Sequence, residues 1–105
     1  MTGFYQWETK TLILKIKPVS ALQGVKSVIV SIAQSRAMIE KHTDDLTIDE
    51  DAGTISVYLH QEETARFTVG SAQVQVNLLY HDAERDTTVK GSVQVWDNLH
   101  KEVMA

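Results

Sequence analysis

The chain has no cysteine and only one proline. The missing thiols exclude disulfides, thiolate metal sites and cysteine nucleophiles. Long apolar runs are missing too. Stretches such as Leu12-Ile13-Leu14 fall far short of the roughly 18 consecutive residues that a membrane helix needs. Positive charge is in deficit, with ten Lys and Arg against fourteen Asp and Glu and a formal charge of -4. That balance argues against nucleic acid or an anionic membrane as the main partner, because both reward a basic patch. Residues 1–8 carry neither the positive region nor the apolar core of an export signal, so no signal peptide is expected. The expected location is the cytoplasm or something assembled there.

What is present suits a single domain over residues 1–105. Hydrophobic residues make up 43% and charged residues 23%, near the globular averages, so wholesale disorder is excluded. A chain of this length buries roughly two-thirds of its surface, enough for one core without staples.

The dominant signal is alternation. In residues 9–17, Leu12, Leu14 and Ile16 fall on one face and Thr11, Ile13, Lys15 and Lys17 on the other. Pro18 cannot donate to a ladder and ends that strand. A connection follows, closed by Gly24. Residues 25–35 place Val28, Val30 and Ile32 inward, and Met38 and Ile39 suggest a short following strand. Residues 44–49 alternate again around Leu46 and Ile48, and residues 53–60 around Ile55, Val57 and Leu59. The acidic, Gly-containing stretch between them reads as a hairpin turn.

Residues 61–67 break the alternation. Glu62 and Glu63 suit the first turn of a helix, so one or two helical turns are expected, with Ala65 or Phe67 on the core and Gly70 closing the connection. Residues 72–80 form the clearest strand, with Ala72, Val74, Val76, Leu78 and Tyr80 opposite Gln73, Gln75 and Asn77. After a polar turn, residues 87–96 place Val89, Gly91, Val93 and Val95 on one side. The tail from Asn98 fits either a frayed helical turn or an extended arm. About seven strands with one helical turn, and no amphipathic helix between strands, predict an all-β fold. The best fit is an antiparallel two-sheet β-sandwich of immunoglobulin-like type, with a small barrel as the alternative.

Sites with chemistry are scarce. Asp49-x-Asp51-x-Gly53 has a calcium-loop outline, but an EF-hand needs a bidentate Glu six residues past its Gly, and that position holds Leu59. A solvated hairpin turn accounts for these acids. The histidines, His42, His60, His81 and His100, lack the spacing of a local metal site. No Gly-x-Ser-x-Gly elbow frames a serine, and adjacent Glu62 and Glu63 point apart on a helix. No phosphate-binding glycine loop occurs. The reading is therefore no enzyme, no catalytic residue, no metal and no cofactor.

The aromatics are more suggestive. Phe4, Tyr5 and Trp7 cluster early and Trp96 closes the last strand. They form either the cap of an open end of the core or a candidate interface, since large exposed aromatics anchor partners. The face bearing Gln73, Gln75 and Asn77, with Thr87, Lys90 and Gln94 nearby, is mostly uncharged and polar. It suits a neighbouring subunit or solvent.

Residues 53–80 resemble a pattern in short proteins encoded by tail and baseplate modules of phages and prophages of Gram-positive bacteria. The residues that match are Leu59, Gln61, Glu62, Glu63, Thr64, Phe67, Gly70, Val74 and Gln75, followed by Asp97-Asn98-Leu99. His60 stands where that group has the Ser or Thr that caps the turn. The resemblance implies an immunoglobulin-like sandwich with a strand–helical turn–strand crossover. It also implies a structural or assembly role in a virion tail or baseplate, with partners that are further copies of the chain or other phage structural proteins. It carries no catalytic residue across. A second reading is a carbohydrate- or ligand-binding sandwich that uses Trp7, Tyr58, Tyr80 and Trp96. A third, a small hydrolase, needs a histidine in reach of an acid or serine inside a pocket.

Overall fold

The computed structural model describes residues 3–104 and resolves them into eight strands. These are β1 (Gly3–Tyr5), β2 (Lys10–Lys15), β3 (Val25–Gln34), β4 (Ala37–His42), β5 (Leu46–Asp49), β6 (Thr54–Leu59), β7 (Gly70–Tyr80) and β8 (Arg85–Trp96). One helical turn, α1 (Gln61–Thr64), bridges β6 and β7. The strands form a five-stranded sheet ordered β1-β8-β7-β3-β4 and a three-stranded sheet ordered β2-β6-β5. That order is the one an immunoglobulin-type sandwich letters A′-G-F-C-C′ over B-E-D.

The alternation read along each strand is what packs the two sheets. Leu12, Leu14, Ile55, Val57 and Leu59 project from one sheet. Val28, Val30, Ile32, Val74, Val76, Leu78, Val93 and Val95 project from the other, and all are buried in a single cluster. Each such side chain contributes about 1.5–3 kcal/mol by leaving water. Their strand neighbours face out, and Ile13 is 61% exposed although it sits between two buried leucines. Ile16 ends β2's line, and Pro18 starts a short 3₁₀ turn (Val19–Leu22) that seats Leu22 in the core. The β5–β6 hairpin pairs Leu46 with Val57 and Ile48 with Ile55. Its turn is closed by Asp49, whose Oδ1 accepts the Ala52 N–H at 3.0 Å, and by Gly53 at φ 68°, a left-handed position that favours glycine.

Three expectations need correction. The sheet is not wholly antiparallel, because β1 runs parallel to β8, with Gly3 opposite Gln94 and Tyr5 opposite Trp96. Three residues are too few to show a period, so β1 was invisible to a pattern count. Asp44 and Asp45 lie in a 3₁₀ turn (Thr43–Asp45), and the strand starts only at Leu46.

The face expected for β8 also breaks. Gly91, Val93 and Val95 keep one register, opposite Val74, Ala72 and Gly70, but the pairing with β7 slips by one residue between Gln75 and Val76, at Val89. That slip is a bulge, which reverses the side-chain order past it. The side chains of Val89 and Lys90, both named in the expectations, lie outside those described. The chain after Trp96, left open between a helical turn and an extended arm, forms neither helix nor strand and bends at Leu99 and Glu102.

Candidate functional site

Three surfaces carry the residues singled out above. The first is the end of the sandwich where α1 crosses from one sheet to the other. Here polar side chains serve as fasteners. Glu63 Oε1 accepts the His60 backbone N–H at 2.9 Å, so the cap missing at His60 is supplied from within the helical turn. The same carboxylate takes Lys41 Nζ at 2.8 Å, in an ion pair with side chains 11% and 21% exposed. Burial alone would push the Glu63 carboxyl up. The His60 N–H and the Lys41 hydrogen bond and charge outweigh it and hold the group below its ordinary value of 4.5.

Thr64 is buried and donates to the Glu8 carbonyl at 2.7 Å. Phe67 meets Phe4 edge-to-face in the core, with ring centroids 5.6 Å apart. Gln34 brackets Thr68 through both amide atoms, at 2.8 and 2.9 Å. Gln61 does the same to Met104, at 3.0 and 2.8 Å. Gln61, Glu63, Thr64 and Phe67, singled out in the sequence, therefore have structural tasks at this end. Sequence reasoning missed Lys41 as a partner. The available signal was its place two residues beyond Ile39, on the inward face of β4.

The second surface is the aromatic edge. Phe4 is fully buried, so it belongs to the core and drops out of the candidate interface. Tyr5 is 48% exposed and lies against Trp96, with centroids 5.3 Å apart and planes tilted by 44°. β1 comes this close because Gly3 has no Cβ: one placed there would strike the Gln94 carbonyl and the Trp96 ring. Trp7, at φ 68°, turns the chain from one sheet toward the other, an uncommon conformation for a bulky residue. Glu8 closes that turn by accepting the Tyr5 N–H at 3.0 Å. Trp7 and Trp96 are both half-buried. Tyr58 sits apart on the other sheet, 45% exposed and edge-on to His60.

The third surface comprises the outer face of the five-stranded sheet and the seam at its edge. Ala33, Gln73 and Ser92 align across three strands, as do Ile29, Asn77 and Thr87. Asn77 Oδ1 accepts from Thr87 Oγ1 at 2.8 Å and from Arg85 Nη2 at 3.1 Å. Beside this face the sandwich opens between β2 and β8. The opening is lined by Ile13, Leu14, Lys15, Val74, Gly91, Ser92 and Val93.

The acids and histidines do not converge. Among the described residues no three His, Asp or Glu side chains gather in one place. The ion pairs there are Lys41–Glu63 and the surface pair Lys101–Asp97, and neither involves a histidine.

No family model matches the chain, and no curated protein sequence matches it. Among solved structures it is similar to a candidate glycoside hydrolase from Bacteroides vulgatus, with a TM-score of 0.53 at 8% identity. The match covers 93% of this chain but 17% of that one. At such identity the likeness speaks to the fold alone.

Proposed function

We propose that this chain is a non-enzymatic structural or assembly module that works through its outer surfaces, in the setting of a prophage-encoded tail or baseplate. The observation that carries the reading is how its polar chemistry is deployed. Glu63, Lys41, Thr64, Gln34 and Gln61 all bind backbone or one another to close one end of the sandwich. What faces outward is a strand edge and an aromatic pair, the features that drive strand addition and anchoring. The phage setting rests on the resemblance of residues 53–80 and 97–99. Finding tail or lysis genes beside this one would support it.

The carbohydrate- or ligand-binding reading comes second: of its rings, Trp7, Tyr58, Tyr80 and Trp96, the Tyr80 hydroxyl is tied to the Ala21 carbonyl, Tyr58 sits on the other sheet, and Trp96 pairs with Tyr5. A flat sugar platform wants coplanar rings, and this pair is tilted by 44°.

Light scattering on the purified full chain over a range of concentrations tests the proposal. The expected result is a mass that rises above that of one chain. A strict monomer at the highest concentration overturns self-assembly. Saturable quenching of tryptophan fluorescence by an oligosaccharide would favour the second reading instead.

A further inference from the structure

We infer that copies of this chain join head to tail through the three-stranded sheet, the β5 edge of one copy pairing in parallel with the β2 edge of the next. The inference rests on the assembly reading above and specifies its contact.

β2 and β5 are the two edges of the same sheet, and their charges are opposite. Residues 10–17, β2 and its exit, hold Lys10, Lys15 and Lys17 and no acid. Residues 44–51, β5 and its flanking turns, hold Asp44, Asp45, Asp49, Glu50 and Asp51 and no base. The ion pairs among the described residues are Lys41–Glu63 and Lys101–Asp97, so these charges are not spent inside the chain.

With the core faces kept on one side, two copies can meet edge to edge in two ways. A half-turn brings like edges together, lysines against lysines or acids against acids, and each such contact repels. Without the turn, β5 meets β2. Both strands run antiparallel to β6, so they run parallel to each other across the new contact. Each edge thus refuses its own kind and accepts the other.

The register follows from the side chains. Leu12 and Leu14 face the core from β2, and Leu46 and Ile48 pack against it from β5. A one-residue slip would turn a core face to water, so only even offsets are allowed. An offset of 34 sets Leu12 beside Leu46 and Leu14 beside Ile48. It also sets Lys10 beside Asp44, Lys15 beside Asp49 and Lys17 beside Asp51. Lys15 and Asp49 lie within the strands, and the other two pairs flank them from the strand ends and turns. A shift of two residues either way keeps a single Lys–Asp pair, Lys17 with Asp49 or Lys15 with Asp51. In the chosen register Ile13, 61% exposed in one copy, gains Thr47 as a cross-strand neighbour. The ladder and this contact hold the copies together. The exposed ion pairs select the partner and the register.

The opposite sheet is five strands wide against three, so copies joined in this way fan apart on that side. The repeat curves with the three-stranded sheet on its concave face. Such a contact joins two different patches, and repeating it closes a ring or winds a helix.

Because the chain has no cysteine, full-length Ile13→Cys and Thr47→Cys each carry one thiol. Both positions are exposed, and opposed residues of adjacent strands lie within disulfide range. Under mild oxidation an equimolar mixture is expected to give mixed covalent dimers at least about tenfold above either homodimer, since this contact never sets like edges together. A mixed dimer at only the statistical excess of about twofold would mean random collision and overturn the inference. A full-length variant carrying Lys10→Glu, Lys15→Glu and Lys17→Glu provides the second readout. It should keep the wild-type circular dichroism and scatter light as a single chain where wild type associates. If wild type associates and this variant associates equally, the edge contact falls while the assembly reading stands. If wild type stays a single chain at the highest concentration, both fall.

Discussion

Glu63 makes three demands on one carboxylate: it caps α1, pairs with Lys41 and stays ionised where burial opposes charge. Its lowered pKa makes it a stability element with a defined sign. A carboxyl that is more acidic folded than unfolded stabilises the fold above its unfolded pKa, and that contribution is lost as pH falls through the folded value. Glu63→Gln keeps the shape and removes the charge. It should cost about 1–2 kcal/mol near neutral pH, measured by urea unfolding, because Lys41 is left 9% exposed without its anion. The gap between wild type and variant should close progressively as pH drops below 4.5. A gap unchanged by acid would remove the pair from the stability account. The Glu at this position was legible in the sequence as a helix-start signal. Its partner was not, since pairing Lys41 with Glu63 requires knowing that β4 and α1 meet.

At the scale of the element, the period-2 pattern decides almost everything in β2, β3, β6 and β7. One residue's shift along β2 separates a core position from a wet one. Leu12→Ala should therefore cost about 2–5 kcal/mol, while Ile13→Lys should stay within about 0.5 kcal/mol. Thermal unfolding of the two variants checks this, and comparable losses would mean that the faces are misassigned. The pattern misleads in β8. Val89, Gly91, Val93 and Val95 alternate cleanly on paper, but the bulge near Gln75 and Val76 resets the count, and Gly91 ends at an opening. A bulge depends on how two strands meet, so no single strand announces it. β1 is legible only as a group of aromatics, and its parallel pairing is set by Gly3 lying close against β8.

Taken whole, the molecule is a pair of unequal sheets with uneven protection. β3 and β7 are paired on both sides within the larger sheet, whereas the arm after Trp96 pairs with no strand. Amide hydrogen exchange should rank accordingly. Val30 and Val76 are expected among the last amides to exchange and residues 98–103 among the first, in dilute protein. Amides of this segment as slow as those of β7 under those conditions would contradict an arm that pairs with no strand. The seam between β2 and β8 also exists only at this scale. Ile13, Val74 and Gly91 belong to three strands of two different sheets, and no spacing along the chain links them.

The sequence by itself determined the all-β class, the inward and outward sets of most strands, the hairpin around Gly53 and the helical turn before Phe67. All of these follow from local period and turn chemistry, which act between residues close in the chain. Tertiary structure decided which strands are neighbours, that Phe4 is core while Tyr5 is surface, that Lys41 meets Glu63, and where a strand edge is left open. Those outcomes depend on contacts between residues tens of positions apart, and only the packing of one sheet on the other brings such residues together.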